Sequence, residues 1–194
     1  AGLRHLATHK SLTSLSLFVT GVTDAGLKEL AELKSLTHLI LGPGLTDAGL
    51  RELASLKTLT KLTLKSPQVT DSGMKELASL TNLTELSLSS NGVAAVGLKE
   101  LAILTNLTHL QVFSEGVNDA GLKELAAFIN LTRLELFSQG VTDAGVKELA
   151  ALTNLTRLGL AGTRVTETGA KELRKALPKC EVVIFQTIGK AITP

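Results

Sequence analysis

One glycine recurs along the chain at a nearly fixed spacing, and this spacing constrains the fold more than any other feature. Its copies are Gly2, Gly26, Gly49, Gly73, Gly97, Gly121, Gly145 and Gly169, separated by 24 residues in every interval except one of 23. Each copy lies in similar surroundings, of which VTDAGVKELAALTNLTRLGL is an example. A period of this length is typical of a solenoid, in which each repeat forms one coil and buries its apolar face only against neighbouring coils.

The first half of each repeat has the pattern of a short helix. In the example above, apolar residues recur on one helical face at Val146, Leu149, Ala150 and Leu152. Thr142 and Asp143 precede them, and side chains of this kind cap free N–H groups and suit the positive end of the helix dipole. Gly145 lowers helix propensity by about 1 kcal/mol. Its recurrence therefore predicts that the helix closely approaches the next coil.

The second half of each repeat has the pattern of a short strand. Leu158 and Leu160 alternate with Arg157, Gly159 and Ala161, which predicts inward leucines and three outward positions. Stacked copies of strand, turn and helix give a parallel sheet on one side and helices on the other. The helix layer is wider than the strand spacing of about 4.8 Å. We therefore expect a curved stack with the sheet on its concave face.

The LxxLxL strand half and the TDxGLKxL helix half recur together over nearly the whole chain, and together they resemble the leucine-rich repeat family. The helical half is similar to the ribonuclease-inhibitor-like and cysteine-containing subclasses with 24-residue, bacterial-type repeats. The resemblance implies an α/β horseshoe of about eight repeats over residues 1–185, followed by a C-terminal tail at 186–194.

Many members of this family carry Asn or Cys in the turn after the strand, where these residues form a hydrogen-bond ladder. The matching position here is occupied by Thr20, Gly44, Pro67, Asn91, Glu115, Gln139 and Thr163. Because these residues differ in chemistry, the sequence predicts no uniform ladder.

Composition limits the partners and the location of the protein. The 194 residues are 44% hydrophobic and carry a net charge of +2, with Lys/Arg–Glu pairs on the predicted helices. We therefore expect no nucleic acid partner. No apolar run reaches the roughly 18 residues of a membrane span, so no membrane association is expected. The single cysteine and the lack of a visible signal peptide favour a cytoplasmic location. Because Ala1 begins in mid-repeat, the N-terminus is expected to be incomplete.

Four repeats contain Asn-Leu-Thr, the acceptor pattern for N-glycosylation, at Asn82, Asn106, Asn130 and Asn154. Asparagine also suits a helix-to-strand turn, and the leucine between the two polar residues belongs to the core pattern. The repeats therefore explain this motif structurally, and glycans become relevant only in a protein secreted from a eukaryote.

Side chains at outward strand positions do not pack in the core, so the residues found there can reflect function. The first outward column contains Ser14, His38, Lys61, Glu85, His109, Arg133, Arg157 and Lys179. The second contains Ser16, Ile40, Thr63, Ser87, Gln111, Glu135, Gly159 and Glu181. The third contains Phe18, Gly42, Lys65, Ser89, Phe113, Phe137, Ala161 and Val183.

Aromatic residues are concentrated on this outward face. Of five phenylalanines in a chain without Tyr or Trp, three fall in the third column. Phe113 and Phe137 lie on adjacent strands and are expected to stack, beside a basic stripe in the first column. Exposed aromatics next to arginine are typical of interface hot spots. We therefore predict a partner-binding site formed by Phe113, Phe137, His109, Arg133, Arg157, Glu135, Gln111 and Lys179. The alternative is that the rings shield the sheet edge or pack under a loop.

The sequence contains no nucleophile elbow, phosphate-binding glycine loop or metal-ligand cluster, so we predict no enzyme, no cofactor and no metal. Glu85 and Glu135 have a spacing that suits paired acids, but a flat, open sheet excludes little water. His5 and His9 lie one helical turn apart without a third ligand. His9 is expected to occupy a core position.

The leading functional hypothesis is a non-enzymatic scaffold that binds a protein partner on the concave sheet of its C-terminal half. One alternative is a purely structural spacer in a larger chain. Another is a binder of acidic polymers along the basic stripe, whose affinity would fall steeply with salt.

Overall fold

The computed structural model describes residues 2–18 and 21–185, which form strands and helices in regular alternation. The strands are β1 Ser14–Leu17, β2 His38–Leu41, β3 Lys61–Lys65, β4 Glu85–Ser89, β5 His109–Phe113, β6 Arg133–Phe137, β7 Arg157–Ala161 and β8 Glu181–Phe185. The helices are α1 Gly2–Leu6, α2 Asp24–Leu27, α3 Asp47–Leu53, α4 Asp71–Leu77, α5 Ala95–Leu101, α6 Asp119–Leu125, α7 Asp143–Val146 and α8 Glu167–Ala176. Short 3₁₀ segments extend α2 over Lys28–Glu32 and α7 over Lys147–Ala151.

All eight described strands form one parallel sheet in chain order, β1 to β8. Each strand pairs with the next in the register of the repeat, so that Leu134 faces Leu158 and Arg133 faces Arg157. The predicted solenoid, with the sheet on its concave face and helices on its convex face, is confirmed. The tail predicted at residues 186–194, Ala1 and the turn residue Thr20 lie outside the described residues.

The core lies between sheet and helices and consists mainly of leucine. Leu134 and Leu158 are fully buried, as are Leu149 in the 3₁₀ segment after α7 and Leu152 just beyond that segment. Phe128 replaces a core leucine and is 2% exposed. Among the described helices, none is long and apolar enough to cross a membrane.

A carboxylate ladder on the convex side explains the recurrent glycine. The Asp24 carboxylate accepts hydrogen bonds from the backbone N–H and the hydroxyl of Thr46 in the next coil, at 2.9 and 2.6 Å. The same pair of bonds joins Asp47 to Thr70, Asp119 to Thr142 and Asp143 to Thr166. A Cβ on Gly49 would overlap with Oδ1 of Asp24 and lie 2.9 Å from its Cγ. The predicted close approach is confirmed, and the group that approaches is the aspartate.

This ladder is interrupted at α5, where alanines replace the Thr-Asp pair. Asp71 still accepts from the Ala94 N–H at 2.7 Å, but Ala95 offers no carboxylate to the following coil. Asn118 instead caps its own helix α6 by accepting from the N–H groups of Ala120 and Gly121. No side chain caps α5, yet this helix has the same length of seven residues as α4.

The Asn-Leu-Thr motif supplies two further ladders. Each asparagine donates from Nδ2 to a carbonyl of the preceding coil, for example Asn106 to Thr81 at 2.9 Å. Each threonine hydroxyl donates to the carbonyl of its counterpart one coil earlier, as Thr132 does to Thr108 at 3.1 Å. The residues that resemble a glycosylation acceptor therefore join the coils to one another.

A serine ladder follows strands β3 to β6, at a position that the sequence analysis did not consider; the equivalent residues after β2 and β7 are Pro43 and Gly162. Ser66, Ser90, Ser114 and Ser138 are buried. Their hydroxyls donate to carbonyls of the preceding coil, for example Ser114 to Val93 at 2.5 Å. Ser90, Ser114 and Ser138 also accept from the backbone N–H two residues later in the same turn. The ladder position is one residue earlier in the turn than the column read from the sequence.

Candidate functional site

The outward columns of the concave sheet have the predicted order over the first seven strands. The last strand differs, because Glu181 pairs with Arg157, Val183 with Gly159 and Phe185 with Ala161. The prediction that Lys179 ends the first column is therefore wrong. Lys179 is exposed in the turn before β8. The basic stripe is shorter than predicted and ends in a carboxylate.

Phe113 and Phe137 stack on adjacent strands, as predicted. Their ring centroids are 6.5 Å apart at an interplanar angle of 26°. The Phe113 side chain is 38% exposed. Phe137 is half-buried because its ring lies against Gly162 in the next coil, where a Cβ would come within 2.6 Å of the ring. Gly162 has a φ of +63°, a conformation that favours glycine. The two rings thus differ, since Phe137 partly shields a turn.

A depression of about 340 Å³ lies beside these rings, and we call it the Gly159 depression. It is lined by Phe113, Glu135, Leu136, Arg157, Gly159, Ala161, Val183 and Phe185. Gly159 forms its floor because it is the one member of its strand position without a side chain, and the nearest atom to a Cβ there would be Glu135 Cγ at 3.5 Å. Phe185, 57% exposed, was not among the predicted site residues. The constant 24-residue interval after Ala161 is the signal that identifies it.

A second depression of about 300 Å³ lies over the preceding strands, and its charged and titratable members are His38, Lys61, Glu85, His109 and Arg133. Lys61 and Glu85 form an ion pair at 2.7 Å. Arg157, on the other side of Arg133, pairs with Glu181 at 3.6 Å. Within residues 2–18 and 21–185, Arg133 and His109 make no ion pair. The first column therefore carries one uncompensated arginine next to a histidine.

The Gln111–Glu135 pair separates the two depressions. Gln111 donates from Nε2 to Glu135 Oε2 at 2.8 Å across adjacent strands. His109, two residues before Gln111, has its Nδ1 2.9 Å from the Thr108 hydroxyl oxygen. That hydroxyl donates its hydrogen to the Thr84 carbonyl, so the ring donates from Nδ1. In the neutral imidazole, the other ring nitrogen, Nε2, therefore carries no proton.

The other candidates for chemistry are placed apart. Glu85 is paired with Lys61 and Glu135 with Gln111, in different columns. His5 and His9 have ring centroids 6.2 Å apart, but both are exposed, so the expected core position of His9 is wrong. Among the described residues, no three His, Cys, Asp or Glu side chains are grouped as metal ligands.

Comparison with known proteins agrees with this geometry. The family model described as Leucine Rich repeat matches residues 8–31 and 79–102. The structure is similar to internalin C2 from Listeria monocytogenes, with 27% identity and a TM-score of 0.68, over 92% of this chain and 83% of that one. No curated protein sequence matches the chain.

Two more distant structures share the fold alone. The internalin inlF from Listeria monocytogenes is 19% identical with a TM-score of 0.52, over 97% of this chain and 64% of that one. The plant peptide hormone receptor RGFR1, solved in complex with RGF2, is 16% identical with a TM-score of 0.53, over 92% of this chain and 32% of that one. The repeat spacing, the in-register parallel sheet and these similarities together show that the chain has the fold of a leucine-rich-repeat solenoid.

Proposed function

We propose that the protein is a non-enzymatic scaffold that binds a protein partner through the concave sheet of its C-terminal half. The observation that carries this proposal is the Phe113–Phe137 stack beside the Gly159 depression. Leaving Phe113 partly in water gains nothing for folding, whereas burying a side chain of this size contributes about 1.5–3 kcal/mol. The flanking Arg133 and Glu135 provide the polar contacts that fix orientation.

We also propose that the repeats belong to the ribonuclease-inhibitor-like or cysteine-containing subclass with 24-residue repeats. A short helix, rather than extended chain, forms the convex side of the described coils. The proposed partner-binding residues are Phe113, Phe137, His109, Gln111, Arg133, Glu135 and Arg157, with Phe185 in place of Lys179.

The register of β8 weakens the acidic-polymer alternative. A polymer lying along the first column would meet Glu85 and Glu181 as well as the basic residues. Two of those cations, Lys61 and Arg157, are already paired. A spacer without a binding site, the other alternative, leaves the exposed rings and the two depressions without a role.

The test is affinity capture from a lysate of the source organism, with Phe113→Ser compared with the wild type. Ile103→Ser is the matched control, because Ile103 is 61% exposed and lies outside the sheet. We expect Phe113→Ser to lose a partner that the wild type and Ile103→Ser retain, with an unchanged melting temperature. A partner retained by all three proteins would show that binding occurs elsewhere. Phe137→Ser is a poorer probe, because its ring packs against Gly162 and its loss lowers stability.

A further inference from the structure

We propose that the concave face recognises an extended peptide segment in which an acidic side chain and a large apolar side chain are about three residues apart. The acidic group lies between Arg133 and His109, and the apolar group fills the Gly159 depression. This inference rests on the proposed function and specifies the chemistry of the partner. It follows from the distribution of charge and space over strands β5 to β8.

The acidic position is set by charge complementarity. Of the basic residues of the first column, Lys61 and Arg157 are held by Glu85 and Glu181. Arg133 is exposed and makes neither an ion pair nor a side-chain hydrogen bond within the described parts of the chain. A guanidinium in this state presents its full fork of donors, and its preferred ligand is a carboxylate.

His109 adds a second, conditional donor at the same place. Its register partner is Arg133, so the two side chains are about 4.8 Å apart along the sheet. Because Nδ1 donates to Thr108, only Nε2 is available to a ligand, and it donates only when the imidazole is protonated. The charged groups facing this ring are Glu85 on β4 and Arg133 on β6. A carboxylate bound here therefore meets the Arg133 guanidinium and, when the imidazole is protonated, the His109 Nε2–H as well.

The apolar position is set by the missing side chain of Gly159. The walls of the depression include Phe113, Ala161, Val183 and Phe185, which are apolar. Its volume of about 340 Å³ has room for one large aliphatic or aromatic side chain. Arg157 lies at the rim but is engaged by Glu181, so it does not compete for the acid.

The geometry of the sheet fixes the separation between the two positions. Gly159 lies one strand beyond Arg133 and two residues further along the strand direction. With about 4.8 Å between strands and 3.3 Å per residue, the two points are about 8–10 Å apart. An extended chain covers this distance in about three residues. The Gln111–Glu135 pair lies between them and offers polar atoms to the peptide backbone.

The experiment is selection of a phage-displayed library of random 12-residue peptides on the immobilised full chain, followed by affinity measurement with synthetic copies. Arg133→Gln removes the free cation and Gly159→Val fills the depression. A Cβ at Gly159 would meet only ordinary contacts and needs no unusual φ, so we expect this variant to fold. Arg51→Gln on the convex side and Ser16→Val at the other end of the sheet are the matched controls.

We expect enriched peptides to carry Asp or Glu about three residues from Leu, Ile, Met or Phe. Their affinity should fall at least tenfold on Arg133→Gln and on Gly159→Val, and less than twofold on the controls.

The proposal is overturned if no peptide is enriched, if acidic residues are not selected, or if Arg133→Gln binds as well as the wild type. If heparin competes and the apolar position tolerates serine, the face binds polyanions and the proposal is wrong. Peptides that depend on Phe113 but not on Arg133 or Gly159 overturn this inference and leave the proposed function standing. Peptides insensitive to Phe113 contradict the proposed function itself.

Discussion

We predict that position 49 must be glycine because a side chain there would displace the aspartate of the preceding coil. The helix that contains Gly49 does not itself require a glycine. A methyl group on Gly49 would overlap with Oδ1 of Asp24, which holds both the backbone N–H and the hydroxyl of Thr46. The next nearest atom outside Asp24, Cδ1 of Leu27, is 3.2 Å away and lies at the end of a flexible side chain. Gly49→Ala therefore acts mainly on the carboxylate ladder.

Two opposing effects determine the magnitude. Alanine in place of glycine inside a helix stabilises by about 1 kcal/mol. Displacing the carboxylate weakens two hydrogen bonds to a charged group, each contributing about 1.5–3 kcal/mol. Because Asp24 is half-buried, we expect the lower part of that range and a net loss of about 1–3 kcal/mol. For a chain of this size that corresponds to a fall in melting temperature of about 2–12 °C.

Gly121 provides a matched control at the same position of another repeat. The coil before it has Ala95 instead of an aspartate, and a Cβ on Gly121 would have its nearest neighbours at 3.1 and 3.3 Å, both side-chain carbons. Gly121→Ala should therefore be neutral or stabilise by up to about 1 kcal/mol. Thermal and urea unfolding, followed by circular dichroism, measure both variants.

A double-mutant cycle tests the cause of the effect. Asp24→Ala alone should destabilise, and Gly49→Ala introduced into that background should no longer be harmful. If Gly49→Ala and Gly121→Ala had the same effect, or if Gly49→Ala were equally harmful without Asp24, the explanation of the recurrent glycine would be refuted.

Three further outcomes are expected. Leu158→Ala should cost about 2–5 kcal/mol of stability, whereas Arg157→Ala, which removes only an exposed ion pair, should cost less than about 1 kcal/mol by urea unfolding. Burial raises the pKa of the Cys180 thiol, with a smaller contribution from a neighbouring carboxylate. Iodoacetamide should therefore react with it more slowly at pH 8 than with the unfolded chain. Hydrogen bonds, first from a threonine hydroxyl and then from backbone N–H groups, lower the pKa of Asp143. Its stabilising effect, measured against Asp143→Asn, should be complete above pH 5 and fall as the pH drops below about 4.

The sequence alone predicts the architecture, because only one strand register buries all the leucines of the repeat. Leu134 and Leu158 are buried and their outward neighbours lie in register, since a one-residue shift would expose every leucine of a strand. The Phe113–Phe137 stack followed from the same register. The repeat period alone is therefore enough to predict that Phe113 and Phe137 lie side by side.

Polar contacts between coils were harder to predict, because they join residues whose partners lie about one repeat away. The serine ladder is visible as Ser66, Ser90, Ser114 and Ser138 at constant intervals, but small hydroxyl residues carry no hydrophobic signal. The sequence predicts the wrong register for β8, because Cys180, which lies just before this strand, continues its alternation of inward and outward residues. Which charged side chains form ion pairs, and which remain free like Arg133, depends on how far each side chain reaches. The sequence alone does not show this.

The hydrogen bonds of the four ladders all run in one direction, and this gives the solenoid a chemical polarity. In each ladder the later coil donates and the earlier coil accepts, as Asn106 donates to Thr81 and Thr46 to Asp24. In these four ladders, one face of a coil thus carries the donors and the opposite face carries the acceptors. A repeat duplicated head to tail finds matching groups at both new junctions, whereas two like faces brought together would oppose donors to donors or acceptors to acceptors. Longer arrays built from this sequence should therefore grow only by head-to-tail addition.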